Sequence, residues 1–340
     1  MAEHFTVPKE YLGHLPHNDP LWDYLSACIL PQVGLAGHPV DFRVFRMKAA
    51  KVYLYEEKHT RMQVIGKFFA DGTQDNGESA RRMQQEFENL QQLRGYGLNQ
   101  SPHHVVRPLG ANVCINSLLM EEYCGGASLS SVITDAIYEN KRRELFAKLT
   151  ALAYFMATLH NRTANGYGVN FADYCAYLDR LVRKLRSKHF IGEHEADELY
   201  WLRDRWRDQP RMWEDQQVFV HGDATPSNFL FGDGLHVIAI DLERMKRADR
   251  VFDIGRIAGE IQHFYLQELG DKFAAEPFIG HFLWEYACHF PDRERAFRSI
   301  TGRVPFQMAL TLLRISRNSW ISQAHRRRLI EEAKITLRAF

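Results

Sequence analysis

One polar loop and the strand that follows it constrain this chain more than any other feature. The loop reads His221-Gly222-Asp223-Ala224-Thr225-Pro226-Ser227-Asn228 and runs into Phe229-Leu230-Phe231. A Gly232-Asp233-Gly234 turn and an apolar strand over residues 236–240 then lead to Asp241-Leu242-Glu243. Either carboxylate motif alone is commonplace, since an Asp in a turn is usually solvated or caps a helix. Together, with a strand and turn between them, they describe a loop fixed at both ends. Such a loop can point one carboxylate at a substrate hydroxyl while an amide oxygen and a second carboxylate hold Mg²⁺ on nucleotide phosphates. Positioning and charge neutralisation are most of what phosphoryl transfer asks of a protein.

The pattern His221, Asp223, Asn228 and then Ile240, Asp241, Glu243 resembles the motifs of the aminoglycoside phosphotransferase and choline kinase family, relatives of the protein kinases. Protein kinases would carry an Arg before the Asp and an Asp-Phe-Gly later; this chain has Gly222 and Asp241-Leu242-Glu243. The resemblance implies Asp223 as catalytic base, Asn228 and Asp241 as metal ligands, and Glu243 as an outer or second-metal group. It implies ATP as donor, with GTP as the alternative, and Mg²⁺. His221 is expected to brace the loop by hydrogen bonding, and Asp253 to buttress it. The implied fold is α+β: a bilobal, protein-kinase-like arrangement with a small antiparallel-sheet N-lobe over residues 41–120, a hinge over 121–126 and a mainly helical C-lobe over 127–340.

Periodicity is consistent with that outline. Residues 42–46, 51–57 and 61–69 read as strands, from rough apolar and polar alternation and a β-branched and aromatic run. Residues 78–94 read as a helix ending at Gly95, with Met83, Phe87, Leu90 and Leu93 recurring at three or four positions. Val64-Ile65-Gly66-Lys67 resembles the family's Lys-bearing strand and Glu86 its helix acid, with Glu88 as a competing partner. The family's glycine-rich phosphate turn is missing: Met47-Lys48-Ala49-Ala50-Lys51 has no glycine, so Lys48 and Lys51 are candidates to supply positive charge instead. A strand-like run over 115–120 precedes the expected hinge, where main-chain groups of Glu121 and Tyr123 would hold adenine and Met120 would limit the back of the pocket. Residues 1–40, punctuated by Pro16, Pro20, Pro31 and Pro39, form an N-terminal extension with a short helix around 21–30.

Composition excludes several classes. Lys and Arg total 43 against 42 Asp and Glu, so there is no electrostatic case for a nucleic-acid partner. The five cysteines are scattered without CxxC spacing, which argues against a disulfide framework and against a zinc site. No apolar stretch is long enough to insert in a membrane, and the start lacks a basic region followed by an apolar run, so the cytoplasm is the expected location. Oligomeric state is left open. The partner expected is a small-molecule acceptor, for which Arg244, Lys246, Arg247 and Arg250 are candidate determinants that would repel polycations, unless they pair with Asp249, Asp253 or Glu260. A weakly active nucleotide-binding regulator and a kinase acting on protein or envelope glycolipid are the alternative functions.

Overall fold

The computed structural model describes residues 10–35, 40–70 and 76–339. The chain forms two compact units: one runs to Ala127 and takes in Ile238–Arg244, the other comprises Ser128–Val237 and the chain from Met245 onward. The sequence outline assigned residues 127–340 wholly to the helical part. The return of Ile238–Arg244 to the first unit has a local cause, because Val106 donates its N–H to the Ala239 carbonyl at 3.1 Å and Asn89 its Nδ2 to the Leu242 carbonyl at 2.8 Å.

The first unit is built on a six-stranded antiparallel sheet, in the order Glu10–His14, Phe42–Arg46, Val52–Glu57, Gln63–Phe68, Leu118–Glu122, Pro108–Asn112. The expected run over 115–120 is shifted to Leu118–Glu122, its start delayed because Asn116 and Ser117 take positive φ in the turn before it. Register sets the faces. Lys67 lies opposite Val52 and Leu119, and Ile65 opposite Glu121, so Lys67, Leu119 and Glu121 share one face while Val64, Gly66, Leu118 and Met120 share the other.

The second of these faces is covered by the N-terminal segment. Asp19 caps the short helix Pro20–Tyr24 by accepting from Leu21 N–H at 2.9 Å, and a wider π-helical turn, Leu25–Ile29, follows. Leu21, Leu25, Ile29 and Leu30 are buried in one apolar cluster with Phe42, Tyr55, Val64, Leu118 and Met120. Each such burial contributes roughly 1.5–3 kcal/mol. The helix Asn76–Gly95 buries Met83, Leu90 and Leu93, and with them Glu86 and Asn89.

The second unit is mainly helical. Its long helices are Arg142–Thr163, Ala172–Ser187, Glu193–Arg207, Val251–Glu268, Val304–Ser316 and Gln323–Leu337. Leu178, Trp206, Phe306, Leu313 and Leu329 are fully buried in their shared core. Gly255 and Gly259 let Val251–Glu268 approach Val304–Ser316: a Cβ on Gly259 would lie 2.8 Å from the Thr311 Cβ, and one on Gly255 would overlap Gln307. An antiparallel pair of strands, Gln217–Val220 and Lys246–Asp249, ends where the polar loop begins.

Candidate active site

The polar loop of the second unit is held from below by one carboxylate. Asp253, fully buried on the first turn of Val251–Glu268, accepts the N–H of His221 at 2.6 Å and of Gly222 at 3.1 Å, and lies 3.4 Å from His160 Nε2. Burial opposes ionisation of Asp253, but the hydrogen bond from His160, the neighbouring imidazoles and the His221 N–H outweigh it and hold the carboxyl below the usual range. Burial holds His160 below the usual imidazole range, so it is neutral at physiological pH, and its Nδ1 lies 2.7 Å from the Tyr286 hydroxyl. His221 is wholly buried against Phe229, in keeping with a bracing rather than proton-transferring part. Gly222 takes φ 83°, a left-handed conformation in which glycine has no Cβ penalty.

Asp223 follows at the exposed end of this brace. Its backbone carbonyl accepts Asn228 Nδ2 at 2.9 Å, which leaves Asn228 Oδ1, with only a long contact from Ser227 at 3.3 Å, as the amide atom suited to a cation. The Asp223 carboxylate is fixed through Oδ1 by Arg256 Nη1 at 2.6 Å, and Arg314 lies 4.0 Å away. Arg314 in turn forms an ion pair with Glu260. Neither arginine was anticipated, although for Arg256 the signal was present: Asp253, Arg256, Glu260, His263 and Gln267 recur at three or four positions and form a polar stripe along a largely apolar helix, while Arg314 lies on Val304–Ser316.

In the first unit, Lys67 is surrounded by carboxylates. Its ammonium lies 2.6 Å from Glu86 Oε1, 3.5 Å from Glu121 Oε1 and 3.6 Å from Asp241 Oδ1. Burial alone would favour the neutral amine, but Glu121, Glu86 and Asp241 outweigh it and keep Lys67 charged. Burial pushes the Glu121 carboxyl up against the pull of Lys67, and Glu86 for the same reason up to about 7. One ammonium thus faces three carboxyl groups, and burial weighs against ionisation of Glu86 and Glu121. Glu86 and Glu121 side chains are nearly sealed at 1% and 4% exposure, whereas that of Asp241 is 39% exposed and therefore the one open to an incoming ion. Asp241 has φ 64°, a conformation that short polar side chains tolerate and that is often found at functional positions.

The remaining expected residues divide. Glu88 accepts from Gln84 at 2.9 Å on the exposed side of its helix, so Glu86 is the partner of Lys67. Met120 is placed differently from expectation: its side chain is buried with Leu25, Ile29 and Leu118 on the face opposite Lys67, and the neighbour on the lysine's face is Glu121. Glu121 also lies within the sheet ladder opposite Ile65 and Pro108, so it meets Lys67 through its side chain rather than presenting a free hinge backbone. Tyr123 is half-buried in the extended segment beyond the strand. Lys48 is exposed at the tip of the glycine-free turn, where Lys51 adopts φ 62° in place of a glycine. Glu243 bonds Arg82 at 2.9 Å and Arg244 at 3.4 Å.

The cationic run after Asp241 is mostly structural. Arg250 is buried against Asp215 and Asn161, at 3.1 Å from each; Arg247 donates to the Thr163 carbonyl; Lys246 stands 4.5 Å from the centre of the Phe252 ring. Asp215, absent from the expected partners, pairs with Arg250 and also with Arg303. Elsewhere, His104, Glu122 and Cys124 bring ligand atoms within 4.8 Å of one another. Burial pushes the Cys124 thiol up to about 12, and Glu122 already bonds His104 at 2.7 Å and the Arg107 N–H at 2.6 Å, so the group is satisfied within the protein.

Comparison with known proteins bears on the family and the fold. The profile of the phosphotransferase enzyme family (APH) matches residues 48–289. No curated protein matches the chain in sequence. Among solved structures, an ethanolamine kinase from Plasmodium vivax is similar over 95% of this chain and 89% of its own, with a TM-score of 0.56 and 14% identity. The APH(2")-IIa phosphotransferase in a ternary complex with streptomycin and ATP is similar over 96% of this chain and 97% of its own, with a TM-score of 0.54 and 11% identity. At these identities the likeness is one of fold, the protein-kinase-like fold expected from the motifs. Among the described residues, no helix is long and apolar enough to cross a membrane.

Proposed function

Because this chain belongs to the APH phosphotransferase family, we propose that it is a small-molecule kinase that moves the γ-phosphate of ATP to a hydroxyl of its acceptor with the help of Mg²⁺. The observation that carries this reading is the partly buried Lys67 held at 2.6 Å by Glu86 and facing Asp241 at 3.6 Å. An ammonium that is fixed by a helix acid yet still partly open is the arrangement a nucleotide phosphate needs, because the charge is positioned before the ligand arrives.

Asp241, together with Asn228 by its place in the loop motif, would hold the divalent ion, with Glu243 as an outer support through Arg82. Both donor types are hard oxygen ligands suited to Mg²⁺. A bound Mg²⁺ would neutralise charge on the phosphates. The residues of the chain do the rest. Asp223, locked through one oxygen to Arg256, orients the acceptor hydroxyl and takes its proton as the new O–P bond forms; the bond from the γ-phosphorus to the bridging oxygen breaks and ADP leaves. Asp253 keeps the loop that carries Asp223 in place.

The test compares two variants. Asp223→Asn should leave folding and Mg-ATP affinity unchanged and lower turnover by on the order of 10²–10⁴. Asp241→Ala should lose Mg-dependent nucleotide binding as well as rate, measured by calorimetry with and without the metal. Retention of turnover in Asp223→Asn would sink the assignment, and nucleotide binding with no turnover in the wild type would favour a regulator.

A further inference from the structure

A cavity of about 260 Å³ opens beside the catalytic loop within the second unit. Thr225, Pro226 and Ser227, the residues just after Asp223, form one wall, and Glu260, His263, Phe264 and Gln267 of the helix Val251–Glu268 form another; Ser130 and Trp320 complete it. Its volume lies below the range typical of drug-sized ligands, roughly 300–1,000 Å³. That suits one small ring and not a chain of several.

Charge narrows the choice further. Glu260 is the single carboxylate on the wall, and it is already paired with Arg314. Asp223 is paired with Arg256. His263 lies 3.2 Å from His325, and burial lowers both imidazoles, so neither contributes a cation at neutral pH. A cationic acceptor would find no uncompensated carboxylate, and an anionic one would meet two carboxylates whose arginines are committed. What the wall does offer is hydroxyls from Ser130 and Ser227, the amide of Gln267, and the aromatic surfaces of Phe264 and the 67% exposed Trp320. Aromatic faces combined with a few polar groups suit a molecule with apolar C–H faces and hydroxyls at its rim.

We propose, on the basis of the kinase reading above, that the acceptor is an uncharged polyhydroxylated ring of monosaccharide size, seated against Trp320 and Phe264 with its rim hydroxyls met by Ser130, Ser227 and Gln267. One ring hydroxyl gives its proton to Asp223 and gains the γ-phosphoryl group, ADP being the leaving product. Arg314 sets specificity indirectly by cancelling Glu260, so the discrimination against amino-bearing rings depends on that ion pair.

The experiment uses the full chain with Mg²⁺ and either a non-hydrolysable ATP analogue, for binding by calorimetry, or ATP, for product by mass spectrometry. D-ribose, D-glucose and myo-inositol are compared with D-glucosamine, D-glucuronate, choline and ethanolamine. At least one neutral ring should bind and be phosphorylated at least tenfold better than every charged compound. Trp320→Ala, a change at an exposed position, should weaken that binding about tenfold while leaving Mg-ATP affinity unaltered. Arg314→Gln should raise the preference for glucosamine relative to glucose about tenfold or more. If Mg-ATP binds but no neutral ring does, if a charged compound is preferred, or if Trp320→Ala leaves ring affinity unchanged, the acceptor inference is overturned and the kinase reading stands. If the wild type fails to bind Mg-ATP, the kinase reading falls and the inference with it.

Discussion

Asp253 shows how much of a candidate catalytic loop can rest on a residue that is itself sealed from solvent. It supplies acceptors to two successive backbone N–H groups and sits against His160. Asp253→Ala would strand both donors in a buried setting, at a cost of about 1–3 kcal/mol each. The expected result is a loss of roughly 2–5 kcal/mol in urea denaturation, with turnover lowered and Mg-ATP affinity retained; Asp253→Asn, which keeps one acceptor, should lose less. Asp223, Asn228, Asp241 and Lys67 were legible as candidates because their motifs lie in short contiguous runs. The side-chain contact of Glu121 with Lys67 was not: Glu121 was expected to act through its main chain, with Met120 limiting the back of the pocket. Side chains alternate across a strand with a period of two, so placing the strand over 115–120 instead of Leu118–Glu122 left no basis for choosing which neighbour shares the face of Lys67.

At the scale of elements, the helix Val251–Glu268 and the N-terminal segment were read least well. The sequence outline gives a mainly helical C-lobe there, and the three-and-four spacing of the polar residues becomes meaningful only once the helix is known to be buried from Val251 to His263. Sequence alone does not distinguish a solvated polar stripe from one facing a loop. The N-terminal segment showed only its prolines and a short helix. Its Leu21, Leu25, Ile29 and Leu30 prove to cover the sheet face behind the Lys67 strand. Leu25→Ala, at a site with no solvent exposure, should destabilise the protein by about 2–5 kcal/mol as seen in thermal or urea unfolding. Because Met120 and Gly66 belong to that cluster's face while Lys67 belongs to the other, the folded variant should keep its nucleotide affinity.

Across the whole molecule, charge is balanced in number and also largely matched in place, by pairs such as Arg303 with Asp249, at 2.6 Å, and Arg250 with Asp215, at 3.1 Å. Histidine is where pH enters. Burial, and then the charges of His325 and Arg314, lower His263 from 6.5 to about 4, with Glu268 opposing weakly. An unfolded chain takes up a proton on this histidine below about 6.5, while the folded one does not until about 4. Stability from this residue is therefore complete above pH 6.5 and lost as pH falls toward 4, by on the order of 3 kcal/mol. Chemical denaturation from pH 7 to pH 4 should show that decline, and His263→Gln should flatten it. The chain's path between its two units has a different kind of consequence, one of timing. The first unit is not complete at Ala127, since the Val106 N–H and the Asn89 Nδ2 donate to the carbonyls of Ala239 and Leu242. At ribosomal speeds of about 5–20 residues per second, the nascent sheet and its helix wait on the order of ten seconds, through synthesis of much of the helical unit, for the segment that carries Asp241. A fragment ending at the hinge would carry Lys67 and Glu86 without it, so the nucleotide site is assembled late, and only by a chain that has been made well past its middle.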